Sequence, residues 1–188
     1  MLQIVIILIL IILMSLIVNC LIKRPEIRKR KKILWGIGII YVVGNVYFTL
    51  ISRRVGLTSH LELMPFRAYS NLFELELDSE QAVGSWASMF LHGILPIESI
   101  ILNILLYYPV GYLLPILFPK LKPKYVIFIG CLCSIATEAT QYLLKMGWCE
   151  TDDVIHNTLG TAIGVWVWLW QSKRLNAQRS ANPEKGET

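Results

Sequence analysis

Glu138 and Gln141 in "SIATEATQ", Asp152, Asp153 and Asn157 in "TDDVIHN", and Asn103 in "SIILNILLYYPVG" are acids and amides set within or at the lip of strongly apolar stretches. Ionising a carboxyl group in such surroundings is costly, so it can work as an acid or base near neutral pH. Ringed by amides, the same groups can instead hold a headgroup by hydrogen bonds. Either chemistry needs cations and donors close by, and Arg53 and Arg67 are the best placed basic residues. Asp152 and His156 stand four apart and could share a divalent ion, but a helix-starting acid and a surface histidine explain them more simply, and no metal or other cofactor is expected. Cys149, His60 and His92 are weaker candidates still.

The elements that must position these groups are membrane helices. Hydrophobic residues make up 55% of the 188 positions and the mean hydropathy is +0.55, which puts a soluble domain last among the options. About 20 mostly apolar residues cross a bilayer, and five stretches come to that length or close to it: 2–22, 33–51, 97–118, 125–146 and 154–171. The expected fold is therefore an all-α, polytopic membrane bundle of about five spans. Fourteen of the eighteen Lys and Arg fall in 23–32, in 120–124 and after Gln171, all on one side, which the positive-inside rule makes cytoplasmic. The N-terminus is then outside and the C-terminus inside. A net charge of +5 confined to such runs suits anionic lipid headgroups and not nucleic acid.

The first apolar run has no basic residue before it and carries Asn19 where a small residue normally precedes cleavage, so it reads as an uncleaved anchor. The chain thus divides into an anchor and basic loop, 1–32, a membrane domain, 33–171, and a polar tail, 172–188, expected to be disordered. Residues 52–96 form an extracytoplasmic connection, within which Ala82, Trp86, Met89, Phe90 and Gly93 have the spacing of an amphipathic helix. Three of the four cysteines lie in apolar stretches, so a disulfide framework is not expected.

Polar residues recur at helical spacing in four spans: Asn45, Thr49, Ser52 and Arg53; Ser99, Asn103, Tyr107 and Gly111; Ser134, Glu138, Gln141 and Lys145; Asp153, Asn157, Gly160 and Gly164. Pointing the stripes at one another makes a polar pocket open to the outer leaflet. With the fourth span ending near Met146, Glu138 would lie ~12 Å below its outer end, where it must be protonated or paired. Pro109 and Gly111 interrupt the third span and predict a kink or local unwinding, with carbonyls freed near Leu105. Gly160 and Gly164 form a GxxxG pair, which signals close helix contact.

"NILLYYPVGYLLPILFP" at 103–119, "SIATEATQ" at 134–141 and "TDDVIHNTLGTAIG" at 151–164, with "ELMPF" at 62–66 upstream, resemble the VanZ-like membrane proteins. The resemblance spans roughly residues 45–170 and carries over Asn103, Pro109, Gly111, Glu138, Gln141, Asp153, Asn157, Thr158 and Gly160 as family positions, without roles. It implies a multi-span protein of the bacterial cytoplasmic membrane linked to lowered susceptibility to teicoplanin and related lipoglycopeptides. The chain departs from the pattern at "GWCE", where many members have an Arg shortly before the acidic run, at Glu150, where they have Asp, and at Val110, where Phe is common.

The function expected from these residues is binding of a lipid, drug or lipid-linked cell-wall precursor headgroup in the outer-leaflet pocket, with Asn103, Gln141, Asn157, Arg53, Arg67 and Asp152 as ligand-binding candidates. A membrane enzyme acting on such a headgroup through Glu138 and Asp153 is the alternative. No nucleophile, phosphate loop or nucleotide motif accompanies the acids, so whether the protein is an enzyme stays open. A small transporter ranks third, because the polar stripes stop near mid-membrane. Membrane lipids are the expected partners, and the oligomeric state is left open.

Overall fold

Runs of Leu, Ile and Val with few breakers form five long helices: α1, Leu2–Lys23; α2, Ile27–Val46; α3, Trp86–Leu117; α4, Pro123–Leu143; and α5, Thr151–Ala181. A computed structural model describes residues 2–23, 27–51, 60–66, 86–146 and 148–181 of the chain. A π-helical turn, Tyr47–Ile51, continues α2. Two short strands, β1 at His60–Glu62 and β2 at Trp148–Glu150, pair in parallel with Leu61 opposite Cys149. This strand pair is a departure from an all-α chain, although the protein remains mostly helical.

Among the described residues three helical segments are long and apolar enough to cross a membrane: Lys31–Leu50, Ile97–Leu117 and Pro123–Leu143. The expected count was five. In α1 the apolar described stretch is the shorter Val5–Leu21, and in α5 His156, Asn157, Thr158 and Thr161 dilute the apolar run. The molecule is apolar outside and polar inside. Ile40, Val43 and Leu16 are 74%, 64% and 60% exposed, whereas Ser134, Glu138, Gln141, Asp152, His156, Asn157 and Thr161 are buried. Water would not tolerate that inversion, and a bilayer favours it.

The closest packing is between α3 and α5. Gly111 lies against the backbone of Thr161 and Val165, Gly160 against that of Ile104, and Gly164 against that of Tyr108 and Tyr112. A Cβ at any of the three would overlap main-chain atoms, so the two helices meet backbone to backbone. The GxxxG pair is thus used within the chain. Gly130 of α4 does the same against the Thr161 side chain. On the other side of α3, Val18 of α1 and Leu34 of α2 bury against Tyr112 and Leu113.

Three local expectations change. Helix α3 runs unbroken through Pro96 and Pro109, from the segment read as an interfacial helix to the end of the span, so no unwound stretch opens at mid-membrane. Helix α4 stops at Leu143, before Met146, because Lys145 adopts a left-handed conformation with φ of 55°. There Lys145 N donates to Tyr142 O at 3.2 Å and Met146 N to Gln141 O at 2.8 Å, the paired bonds of a Schellman cap. Glu138 is then ~7.5 Å from its helix end, shallower than expected. Finally, α5 stays helical to Ala181 through residues expected to be disordered; Tyr112 Oη donates to Gln171 Oε1 at 2.7 Å, and Arg174 stacks over the Trp170 ring.

The glycine seam makes a direct prediction. Gly160→Ala should cost about 1–3 kcal/mol or more by overpacking the α3–α5 contact. Gly44→Ala, with nothing within 4 Å of its added carbon, should be neutral or stabilise by about 0.5–1 kcal/mol. Thermal unfolding of both variants in detergent micelles measures the difference, and equal behaviour would rule out the packed seam.

Candidate functional site

Polar residues of α3, α4 and α5, with the Thr49 carbonyl at the end of α2, meet near the end of the bundle where β1 and β2 pair. Asn103 of α3 donates from Nδ2 to Asp153 Oδ1 of α5. Asn157, one turn further along α5, donates to Ser134 Oγ of α4 at 2.8 Å, and both groups are buried. Gln141 of α4 donates from Nε2 to the Thr49 carbonyl at 3.0 Å. That carbonyl lies in the π-helical turn, where the shift from i−4 to i−5 bonding disturbs the ladder and leaves oxygens for side chains. Tyr107 of α3 and Thr137 of α4 join hydroxyls at 3.1 Å. Every pair of neighbours among α3, α4 and α5 is thereby joined by polar side chains.

Glu138 faces the strands. Its Oε2 accepts from the Glu150 backbone N–H at 3.1 Å, and the residue is 4% exposed. Strand β2 therefore covers the carboxyl group that the sequence placed deeper. Asp152 sits at the second position of α5, and Phe66 N donates to its Oδ1 at 2.5 Å. Phe66 takes a left-handed φ of 66°, which turns the end of "ELMPF" toward α5. Thr151 Oγ1 donates to the Glu62 carbonyl at 3.4 Å. Asp152 is thus more than a helix cap: it holds the 62–66 segment to the start of α5.

Of the predicted residues, Asn103 and Asp153 come together directly, Gln141 and Asn157 each bind a different neighbour, and Glu138 and Asp152 anchor the strand region. Arg53 and Arg67 lie outside the described residues. Lys145 leaves the α4 stripe, since its left-handed backbone takes it off the helix. Sequence reasoning passed over Tyr41, whose hydroxyl donates to the Leu106 carbonyl at 2.8 Å while Asn45 Nδ2 donates to that hydroxyl at 3.1 Å. Its signal was present as an i, i+4 pair with Asn45. The bonded carbonyl is the neighbour of Leu105, where Pro109 was expected to free one. Ser134 and Thr161 are also buried, the latter donating to the Asn157 carbonyl at 3.1 Å.

Two acceptors in this cluster, Gln141 Oε1 and Asn157 Oδ1, are buried and take no hydrogen bond in the structure. Each is an amide oxygen whose amide nitrogen is already engaged. They offer lone pairs to a donor such as an ammonium or hydroxyl group. Among the described residues no group of three or more His, Cys, Asp or Glu side chains is arranged to hold a metal ion. The donor set is amide and carboxylate oxygen, without a nucleophile raised on a base.

Cys149 in β2 reports the charge of this region. Burial pushes its thiol pKa up, and the carboxylates of Glu138, Asp153 and Glu150 push it further.

The sequence model of the VanZ/LLP1 family matches residues 33–172. The chain belongs to that family, and its apolar helices make it a membrane protein of the family. No curated protein and no solved structure matches it.

Two measurements test the geometry. Asn103→Leu removes the donor to Asp153 and should cost about 1–2 kcal/mol in detergent unfolding, against almost nothing for a lipid-facing change such as Ile40→Leu. In a chain whose other cysteines are alanine, Glu138→Gln removes a negative charge beside Cys149. Its thiol pKa should fall, so alkylation by a water-soluble reagent at pH 8 should speed up. An unchanged rate would mean that the Glu138 carboxylate does not act on this thiol.

Proposed function

We propose that the protein is a multi-pass component of the bacterial cytoplasmic membrane, N-terminus outside and C-terminus inside, that lowers susceptibility to glycopeptide or lipoglycopeptide antibiotics such as teicoplanin. In this reading it binds a lipid, drug or lipid-linked cell-wall precursor headgroup in the polar site on the outer side of the bundle. The observation that carries it is the pair of buried, unoccupied amide acceptors, Gln141 Oε1 and Asn157 Oδ1, in a cluster otherwise built from bonded acids and amides. A buried acceptor left open costs about 1–3 kcal/mol, and a donor from a bound headgroup would recover it. Amino sugars, aminoacyl groups and ethanolamine supply such donors.

Orientation follows from charge. The basic runs flank the ends of the helices opposite the site, and the positive-inside rule puts those runs in the cytoplasm. In this reading the site lies at the end of the bundle nearer the leaflet in which cell-wall precursors are displayed. Family membership supports the same setting.

A membrane enzyme using Glu138 and Asp153 is the second reading, and the burial of the Glu138 carboxyl favours it. Against it, the Glu138 Oε2 accepts a backbone N–H and Asp153 accepts from Asn103, so both acids are engaged in holding the site together.

Glu138→Gln separates the two. The glutamine oxygen can still accept from Glu150 N while the acid is lost. Binding predicts teicoplanin tolerance within about twofold of the parent at equal membrane abundance, whereas acid–base chemistry predicts a loss of two orders of magnitude or more in turnover. Comparing extracted lipids and cell-wall precursors with and without the gene checks the same point. A species that appears only with the parent protein would establish the enzyme.

A further inference from the structure

A second site lies away from the polar cluster. Helices α2, α3 and α4 enclose a groove of about 340 Å³ lined only by apolar atoms, among them Trp35, Ile39 and Val42 of α2, Leu113 of α3, Phe118 just beyond it and Ile129 of α4. The volume falls in the range of about 300–1,000 Å³ usual for small-molecule sites. Along α2 the groove extends from Trp35 to Val43, ~12 Å. That is close to the ~15 Å hydrocarbon depth of one leaflet. Tyr41, which also lines the groove, donates its hydroxyl to the Leu106 carbonyl and so presents no free polar atom to it.

The two ends differ in charge. At one, Trp35 and Phe118 meet edge to face with ring centroids 5.5 Å apart. Lys31 and Lys32 precede Trp35 by one helical turn, and Lys120 and Lys122 follow Phe118 within four residues, all four exposed. The groove therefore has a dry, leaflet-deep body and a cationic mouth with aromatic residues at the headgroup level. We propose that this groove between α2, α3 and α4 is a binding site for an anionic phospholipid, with one acyl chain along Ile39 and Val42 and the phosphate at Lys31, Lys32 and Lys120. Charge complementarity selects this occupant. A neutral or zwitterionic lipid fills the groove without using the lysines, and a second copy of the chain would bring its own lysines to the same mouth.

Native mass spectrometry of the full chain, released from micelles supplied with phosphatidylglycerol, phosphatidylcholine or diacylglycerol, tests it. Phosphatidylglycerol should be retained about tenfold or more over the other two. Val42→Trp, which fills the groove, should abolish retention, while Leu132→Trp, exposed on α4 away from the groove, should not. The double change Lys31→Ala, Lys32→Ala should remove the preference for phosphatidylglycerol over phosphatidylcholine. Phosphatidylglycerol carrying a photoreactive acyl chain needs no variant: with the unaltered protein its adducts should map to the groove-lining segments 35–43, 109–118 and 129–133. Equal retention of all three lipids, retention unaffected by Val42→Trp, adducts elsewhere, or a disulfide-linked dimer of a Val42→Cys variant would each overturn the proposal.

Discussion

Backbone-to-backbone contact between α3 and α5 sets the position of nearly everything polar in this protein. Lipid offers helices no hydrophobic reward for associating, so close approach must come from dispersion and from hydrogen bonds made where side chains are small. Gly111, Gly160 and Gly164 supply the small residues, and with no Cβ between them the two helix axes come near enough for Asn103 to reach Asp153. A wider spacing would leave a carboxylate and an amide facing hydrocarbon, at a cost of several kcal/mol for each. The seam and the polar pair therefore depend on each other. Helix α4 is then held against α5 by Gly130 at Thr161 and by Ser134 at Asn157.

Above the seam, the two strands answer a different need. Helices ending in a membrane interface leave carbonyls and N–H groups unbonded, and a buried carboxyl group needs donors. The Schellman turn at Lys145 ends α4 early and sends the chain back over it, so that β2 crosses Glu138 and gives it the Glu150 N–H. Strand β1 pairs with β2, and the segment after β1 reaches Asp152 through Phe66 N. Glu138, Asp152, "ELMPF" and the start of α5 thus form one hydrogen-bonded unit that brings residues 62–66 to a part of the chain more than eighty residues on.

Amide side chains make several of the bonds between helices in this cluster. Asn103 uses its donor on an acid, and Gln141 and Asn157 use theirs on a carbonyl and a hydroxyl, leaving the oxygens of the last two buried and open. In the proposed binding reading these are the oxygens that a headgroup donor would meet.

Helix type, the apolar exterior and the faces carrying Asn103, Glu138, Gln141, Asp153 and Asn157 were all legible in the sequence, because they rest on composition and on a period of 3.6 residues, which are local. The GxxxG pair was legible as a close contact but not as one with Ile104 and Tyr108, since a small-residue motif does not name its partner. Where α4 ends, that Pro109 leaves α3 continuous, that α5 runs on to Ala181 and that β1 pairs with β2 were decided by the tertiary structure. Three-residue strands carry too little periodicity to read, and a left-handed Lys145 has no propensity signal, because lysine takes that conformation only when the surrounding bonds outweigh its steric cost. Which donor serves which acid was likewise beyond the sequence: helical spacing says which residues share a face, and only the packing of one helix on another says what that face meets.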